Sequence, residues 1–217
     1  PDGKLMNTHM HLLEALTTFW EVTGDELARE RLLELMFIQS SAVVRKDVGA
    51  CTDRYARDWT PLLDAPHDRV SYGHDVENAW LLAAASRAVG VPNGPLVDLY
   101  KQLVDNALRY GFDRGKGGFY ESGPLGQPAD DLDKIWWVQA EGLVALLSLY
   151  QMTGNEAYWS AFIETYEWVE GHQVDWVNGA WHAQITPDGT SSGAKAGRWK
   201  TPYHSGRAVL ECLRMLE

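Results

Sequence analysis

Residues 70–82 read VSYGHDVENAWLL, a polar cluster that opens directly into an apolar run. Ser71 is a good N-cap, which predicts a helix from Tyr72 with His74 at its third position. His74, Glu77 and the Trp80–Leu81 pair are three or four residues apart and share one helix face. A base, a carboxylate and an aromatic plate projecting together from a helix start point to a pocket. The plainer alternative is a capping pair at a solvated helix end.

Working outward, the same kind of helix recurs. Residues 5–22 form a first helix, ended by Thr23-Gly24, and a second runs from Glu26 to about Val43. Residues 46–69, with ACTDRYARDW near their start, are a long irregular connection. The helix at 72–89 stops at Gly90-Val91-Pro92. A one-sided fourth helix over 96–110 places Val97, Tyr100, Val104 and Ala107 on one face. Residues 117–121 read as a short strand. A fifth helix, 134–152, is apolar nearly all round, and a sixth spans 156–170. Residues 179–185 read as a strand. A seventh helix starts at Thr201-Pro202, N-cap then N1, and runs to the end.

The odd-numbered helices carry apolar residues on more than one face, and the even-numbered ones are one-sided. A helix buried all round belongs to an inner layer, and a one-sided helix to an outer layer. Short Gly turns lead from inner to outer helices. Long loops lead back, so these loops gather on one face with the inner-helix N-termini. Gly24, Gly90 and Gly154 are 66 and 64 residues apart, an internal repeat. Thirteen residues before each Gly stand His11, Glu77 and Glu141; sixteen before stand Thr8, His74 and Val138. Moving His74 on by the summed spacing, 130, reaches His204. The expectation is an all-α toroid of the (α/α)6 type, present as an incomplete ring of about seven helices with short β-hairpins in the long loops. Residues 1–217 form a single domain in this reading.

Composition bounds the partners. The formal charge of −11 argues against nucleic acid or an anionic membrane surface. Cys51 and Cys212 form no ladder or CxxC pattern, which fits a reducing compartment and a cytoplasmic location. No apolar run reaches transmembrane length, and no signal peptide is visible in a chain that opens Pro1-Asp2-Gly3 without Met. Ten Trp suit a sugar-binding wall as well as a core; Trp59, Trp80, Trp136, Trp137 and Trp199 lie beside polar clusters at helix starts or loop ends.

Two histidines across a cup suit removal of a proton from one face of a carbon and its return to the other, as in epimerisation beside a carbonyl. A helix N-terminus favours the neutral imidazole that such a base needs. Glu77, one turn on, is positioned to hold the His74 tautomer or to bond substrate hydroxyls. Glu77 and Glu141, both on inner helices, equally allow a glycosidase with paired carboxylates. His9 and His11 form an H-x-H pair, but residues two apart on a helix diverge, so no metal is expected. His9 reads as a bonded wall residue, and Trp137 shares a face with Glu141 one turn on.

Four blocks, MNTHMHLLEA (6–15), SYGHDVENAWLL (71–82), KIWWVQAEGLVAL (134–146) and WKTPYHSGR (199–207), resemble the N-acylglucosamine 2-epimerase superfamily. The GHD-x-E and WK-x-PYH-x-x-R forms are most similar to its cellobiose 2-epimerase branch. The resemblance implies an (α/α)6 barrel with no metal and no redox cofactor. It implies an isomerase that opens the reducing-end sugar of a β-linked disaccharide, takes the C2 proton to give a cis-enediolate and reprotonates the other face. In it His74 and His204 are the acid/base pair and Glu77 supports His74, while Asn7, His11, Trp80, Trp137, Glu141 and Trp199 line the sugar site. N-acylglucosamine epimerase and aldose–ketose isomerase are alternatives within the superfamily. A glycoside hydrolase or a sugar-binding fragment without turnover are alternatives outside it. Members of the superfamily are longer, and a site arginine from an early inner helix has no counterpart here. The chain therefore resembles a C-terminal portion, and self-association or a separate completing half is expected.

Overall fold

A computed structural model describes residues 3–217. It contains seven α-helices: α1 Met6–Thr23, α2 Glu26–Phe37, α3 Tyr72–Ala88, α4 Val97–Tyr110, α5 Trp136–Thr153, α6 Glu156–Trp168 and α7 Tyr203–Leu216. Helices α1, α3, α5 and α7 pack side by side in that order, and α2, α4 and α6 lie outside them. Gly24 and Gly154 end α1 and α5 in the left-handed conformation, with φ of 65° and 66°, which a residue with a Cβ adopts only under strain. Helices α2 and α6 then start on side-chain caps, Asp25 accepting from Ala28 N–H and Asn155 from Ala157 N–H. Both α2 and α6 finish in a single π-helical turn, Ile38–Ala42 and Val169–Gln173, so the regular helix stops short of the expected ends.

Short strands set the inner-helix starts. Lys4–Leu5 precedes α1 and pairs with Arg54–Tyr55. Arg69–Ser71 precedes α3 and pairs with Ser122–Pro124. Lys134–Ile135 precedes α5 and pairs with Gln184–Ile185, which pairs in turn with Ser191–Ser192. Ser71 holds the expected N-cap position of α3 while closing a strand, but its buried Oγ makes no capping bond. Strand pairing fixes the direction from which α3 enters, and Tyr72 N–H is taken by Glu121 O instead. In α7, Pro202 takes the N-cap position expected of Thr201, whose Oγ1 accepts from Tyr203 N–H.

Residues 117–121 do not form the expected strand. Gly117 and Gly118 are left-handed, and Phe119 makes only an isolated antiparallel bridge to Phe112, while Gln139 of α5 accepts from Phe119 N–H at 2.8 Å and donates to Phe119 O at 2.6 Å. Of residues 179–185, only Gln184–Ile185 is strand; Gln173 bonds the His182 backbone in both directions.

Helix α5 is buried at every residue from Val138 to Leu149, and α3 is nearly as enclosed. Helices α1 and α7 are not enclosed in the same way. Leu12 and Phe19 of α1, and Val209, Leu210, Leu213 and Leu216 of α7, are exposed. They stand at the two ends of the row, so one flank of each has no neighbouring inner helix. No helix among the described residues is long and apolar enough to cross a membrane.

Candidate active site

All four inner helices meet at one guanidinium. Arg207 of α7 donates to Glu77 Oε1 of α3 at 2.9 Å and to Glu141 Oε1 of α5 at 2.7 Å. It also donates to Glu14 of α1 and to the Tyr203 hydroxyl, itself bonded to Glu14. Both Glu77 and Glu141 are fully buried. Carboxylates remain in such surroundings only when a cation and hydrogen-bond donors compensate them. Glu141 is the better supplied: its Oε1 also lies 2.6 Å from His204 Nδ1, and its Oε2 accepts from Trp80 Nε1 at 2.8 Å. Burial, and then the facing Glu141, push the Glu77 carboxyl well above the usual carboxylate range against the pull of Arg207. Glu77 Oε2 is buried with no hydrogen-bond partner among the described residues. Burial also raises Glu14, but bonds from His11 and Tyr203 and the charge of Arg207 outweigh it and bring Glu14 down to about 2.

Since a carboxylate only accepts, the contact with Glu141 assigns the proton on His204 to Nδ1 and leaves Nε2 as the free ring nitrogen. His204 packs against Trp137 at 5.7 Å between ring centroids, and His74 packs against the same indole at 4.9 Å. Gly73 makes this approach possible, because a Cβ there would come within 2.5 Å of the Trp137 ring. Burial pushes the His74 imidazole down to about 4, so near neutral pH it is uncharged and able to accept a proton. His74 opens on a cleft of about 350 Å³ that Asp53, Arg54, His67, Arg69 and Ser71 also line.

The residues singled out in the sequence are thus partly gathered. His74, Trp137, His204, Glu141, Glu77 and Trp80 converge. Glu77 makes no hydrogen bond with His74; it faces Arg207, with His204 Nδ1 4.0 Å away. His11 bonds Glu14 and lies 3.5 Å from the Tyr203 hydroxyl, at the rim of the cluster. Asn7 gives its backbone N–H to Asp53 and keeps a buried, unpartnered Oδ1. Trp199 is 84% exposed on the loop before α7 and does not reach the cluster. His9 bonds Leu5 O and packs edge-on against Trp59, as a wall residue would. Glu77, Glu141 and His204 offer donor atoms within 4.8 Å of one another, but Arg207 already sits on the two carboxylates as their cation. Arg207 and Tyr203 belong to the WK-x-PYH-x-x-R block without an expected site role, and Glu14 carries none either. The repeat held a signal for the first, because the 130-residue step from His74 to His204 also carries Glu77 onto Arg207.

Comparison with known proteins places this geometry. A cellobiose 2-epimerase from Bacteroides fragilis is 33% identical over 98% of this chain and 54% of its own length. A D-mannose isomerase from Marinomonas mediterranea is 29% identical over 97% of this chain and 56% of its own. The solved cellobiose 2-epimerase of Bacillus thermoamylovorans superposes with a TM-score of 0.88 at 28% identity, covering 97% of this chain and 53% of that one. The class is therefore the (α/α)6 toroid, of which the seven helices form part. The family model described as N-acylglucosamine 2-epimerase (GlcNAc 2-epimerase) matches residues 3–208, and the chain belongs to that family. It spans about half the length of the relatives it matches.

Proposed function

We propose that this chain carries the proton-transfer site of a sugar 2-epimerase acting on the reducing-end glucose of a β-linked disaccharide. The observation that carries the reading is the pair of imidazoles, His74 and His204, against one indole, Trp137. In the open-chain aldose one imidazole takes the C2 proton, the C–H electrons form the C1–C2 double bond, and the carbonyl π pair moves onto O1 to give a cis-enediolate. The other imidazole, entering as an imidazolium with protons on both ring nitrogens, gives one to the opposite face of C2, and the aldehyde re-forms. Neutral His74 suits the accepting role. The bond from His204 Nδ1 to Glu141 orients the second ring, and Arg207 keeps the two buried carboxylates compensated beside it. The names of the Bacteroides and Bacillus relatives support cellobiose as the substrate to try first.

The Marinomonas relative favours a second reading, aldose–ketose isomerisation, in which the enediolate is reprotonated at C1. One experiment separates the two. The protein is incubated with cellobiose or mannose in D2O, with the His204→Asn variant alongside, and products are followed by NMR. Deuterium at C2 with an epimeric aldose, lost in the variant, is expected. A ketose labelled at C1 selects the second reading, and the absence of any exchange refutes both.

A further inference from the structure

Glu77 was the expected partner of His74, but the structure gives it to Arg207. This leaves the His74 ring with no hydrogen bond among the described residues and a question of charge. An imidazole that accepts a proton in a buried site becomes a cation that burial disfavours. Glu77 and Glu141 already share the Arg207 charge. Another carboxylate, Asp53, lies in the same cleft as His74. It belongs to the turn between strands Ala50–Cys51 and Arg54–Tyr55 and is anchored at the start of α1. Its backbone carbonyl accepts from Met6 N–H at 2.8 Å, and its Oδ1 accepts from Asn7 N–H at 3.1 Å. The turn is tied to α3 by Cys51 N–H, which donates to Asp75 Oδ1 at 2.7 Å, one residue from His74.

We propose that Asp53 is the positioning residue for His74, its carboxylate being the fixed counter-charge for the imidazole once that ring has taken a proton. The inference rests on the proton-accepting role of His74 in the proposed reaction. The other charged or titratable groups around His74 are His11 of α1, His204 of α7 and Glu141 of α5, with Cys51, Arg54, His67 and Arg69 lining the cleft. Of the two carboxylates that favour the protonated ring, Asp53 acts more strongly than Glu141.

The test is Asp53→Asn, whose amide oxygen still accepts from Asn7 N–H, with Asp53→Glu as the conservative control. The His74 ring titration is read by NMR in each, beside a thermal melt. With the fold intact, Asp53→Asn is expected to move the His74 midpoint down by about 1 on the pH scale, and Asp53→Glu to restore most of it. Turnover is expected to fall about 10-fold with KM within twofold, because the charge matters after proton transfer. An unmoved His74 midpoint in a folded Asp53→Asn variant overturns the proposal. Should that variant fail to fold, Asp53→Ser, whose hydroxyl oxygen can also accept from Asn7 N–H, is read in its place. A His74 midpoint lowered in Asp53→Ser supports the coupling, and an unmoved one overturns it. The titration needs no turnover, so failure of the epimerase reading and failure of the Asp53 assignment are seen separately.

Discussion

Replacing Arg207 by Met tests the central claim that one cation holds the four inner helices together. The side chain is 15% exposed, and its carboxylate partners Glu77 and Glu141 are at most 1% exposed. Its loss takes the cation from Glu77, leaves Glu141 with only His204 and Trp80, and leaves the bonded Glu14–Tyr203 pair without its charge. Removing one partner of a buried ion pair costs about 3–5 kcal/mol. For a chain of this size that is a fall in Tm of about 6–20 °C. The deficit has a sign in pH. Burial and Glu141 already push Glu77 up from 4.5, and Arg207 opposes them. Without Arg207 the folded-state value rises further. Between the folded-state value with Arg207 and the higher one without it, the variant keeps a proton that the unsubstituted protein has released, so the deficit grows as pH rises through that window. Urea unfolding followed by Trp fluorescence at pH 5 and pH 8 reads both quantities. The deficit is expected to be larger at pH 8, and Arg207→Lys, which keeps the charge without the planar set of donors, is expected to fall between. A loss below about 1 kcal/mol, or a deficit that shrinks with pH, would refute the reasoning.

Two further outcomes follow from the surroundings of His74. Burial pushes Asp75 up from 3.8 to about 8 despite its bonds from Cys51 and Asn106. Its ionisation therefore costs stability progressively between those values, so Asp75→Asn should gain stability relative to the unsubstituted protein as pH rises from about 4 to about 8; a gain that falls over that range would count against this. Gly73→Ala sets a Cβ 2.5 Å from the Trp137 ring and 2.9 Å from Val138 Cγ2. It should cost about 1–3 kcal/mol in urea unfolding and shift the Trp emission as the indole is displaced from His74; an unchanged spectrum and midpoint would show that the ring has room.

The alternation of enclosed and one-sided helices, the Gly stops and the 66- and 64-residue spacings are local or periodic properties. They determined the two-layer arrangement and brought out His74 and His204 as equivalents. What periodicity could not convey is which enclosed-looking helix has neighbours on both flanks. Leu12 and Phe19 of α1 read as core by pattern yet lie exposed, because α1 stands at the end of the row. Nor could it assign partners. Glu77 is one turn from His74, and local spacing pairs the two. The packing of α7 across α3 and α5 instead delivers Arg207 to Glu77 from 130 residues away. A buried carboxylate takes the cation that reaches it, since leaving it uncompensated costs more than any local preference. The same physics explains Ser71, which has the chemistry of a cap but closes a strand paired with Ser122–Pro124. The sequence by itself determined the helices, their layers and the two histidines. Only the tertiary structure decided which carboxylate each histidine meets, because long-range packing, not spacing along the chain, sets where charges can be compensated.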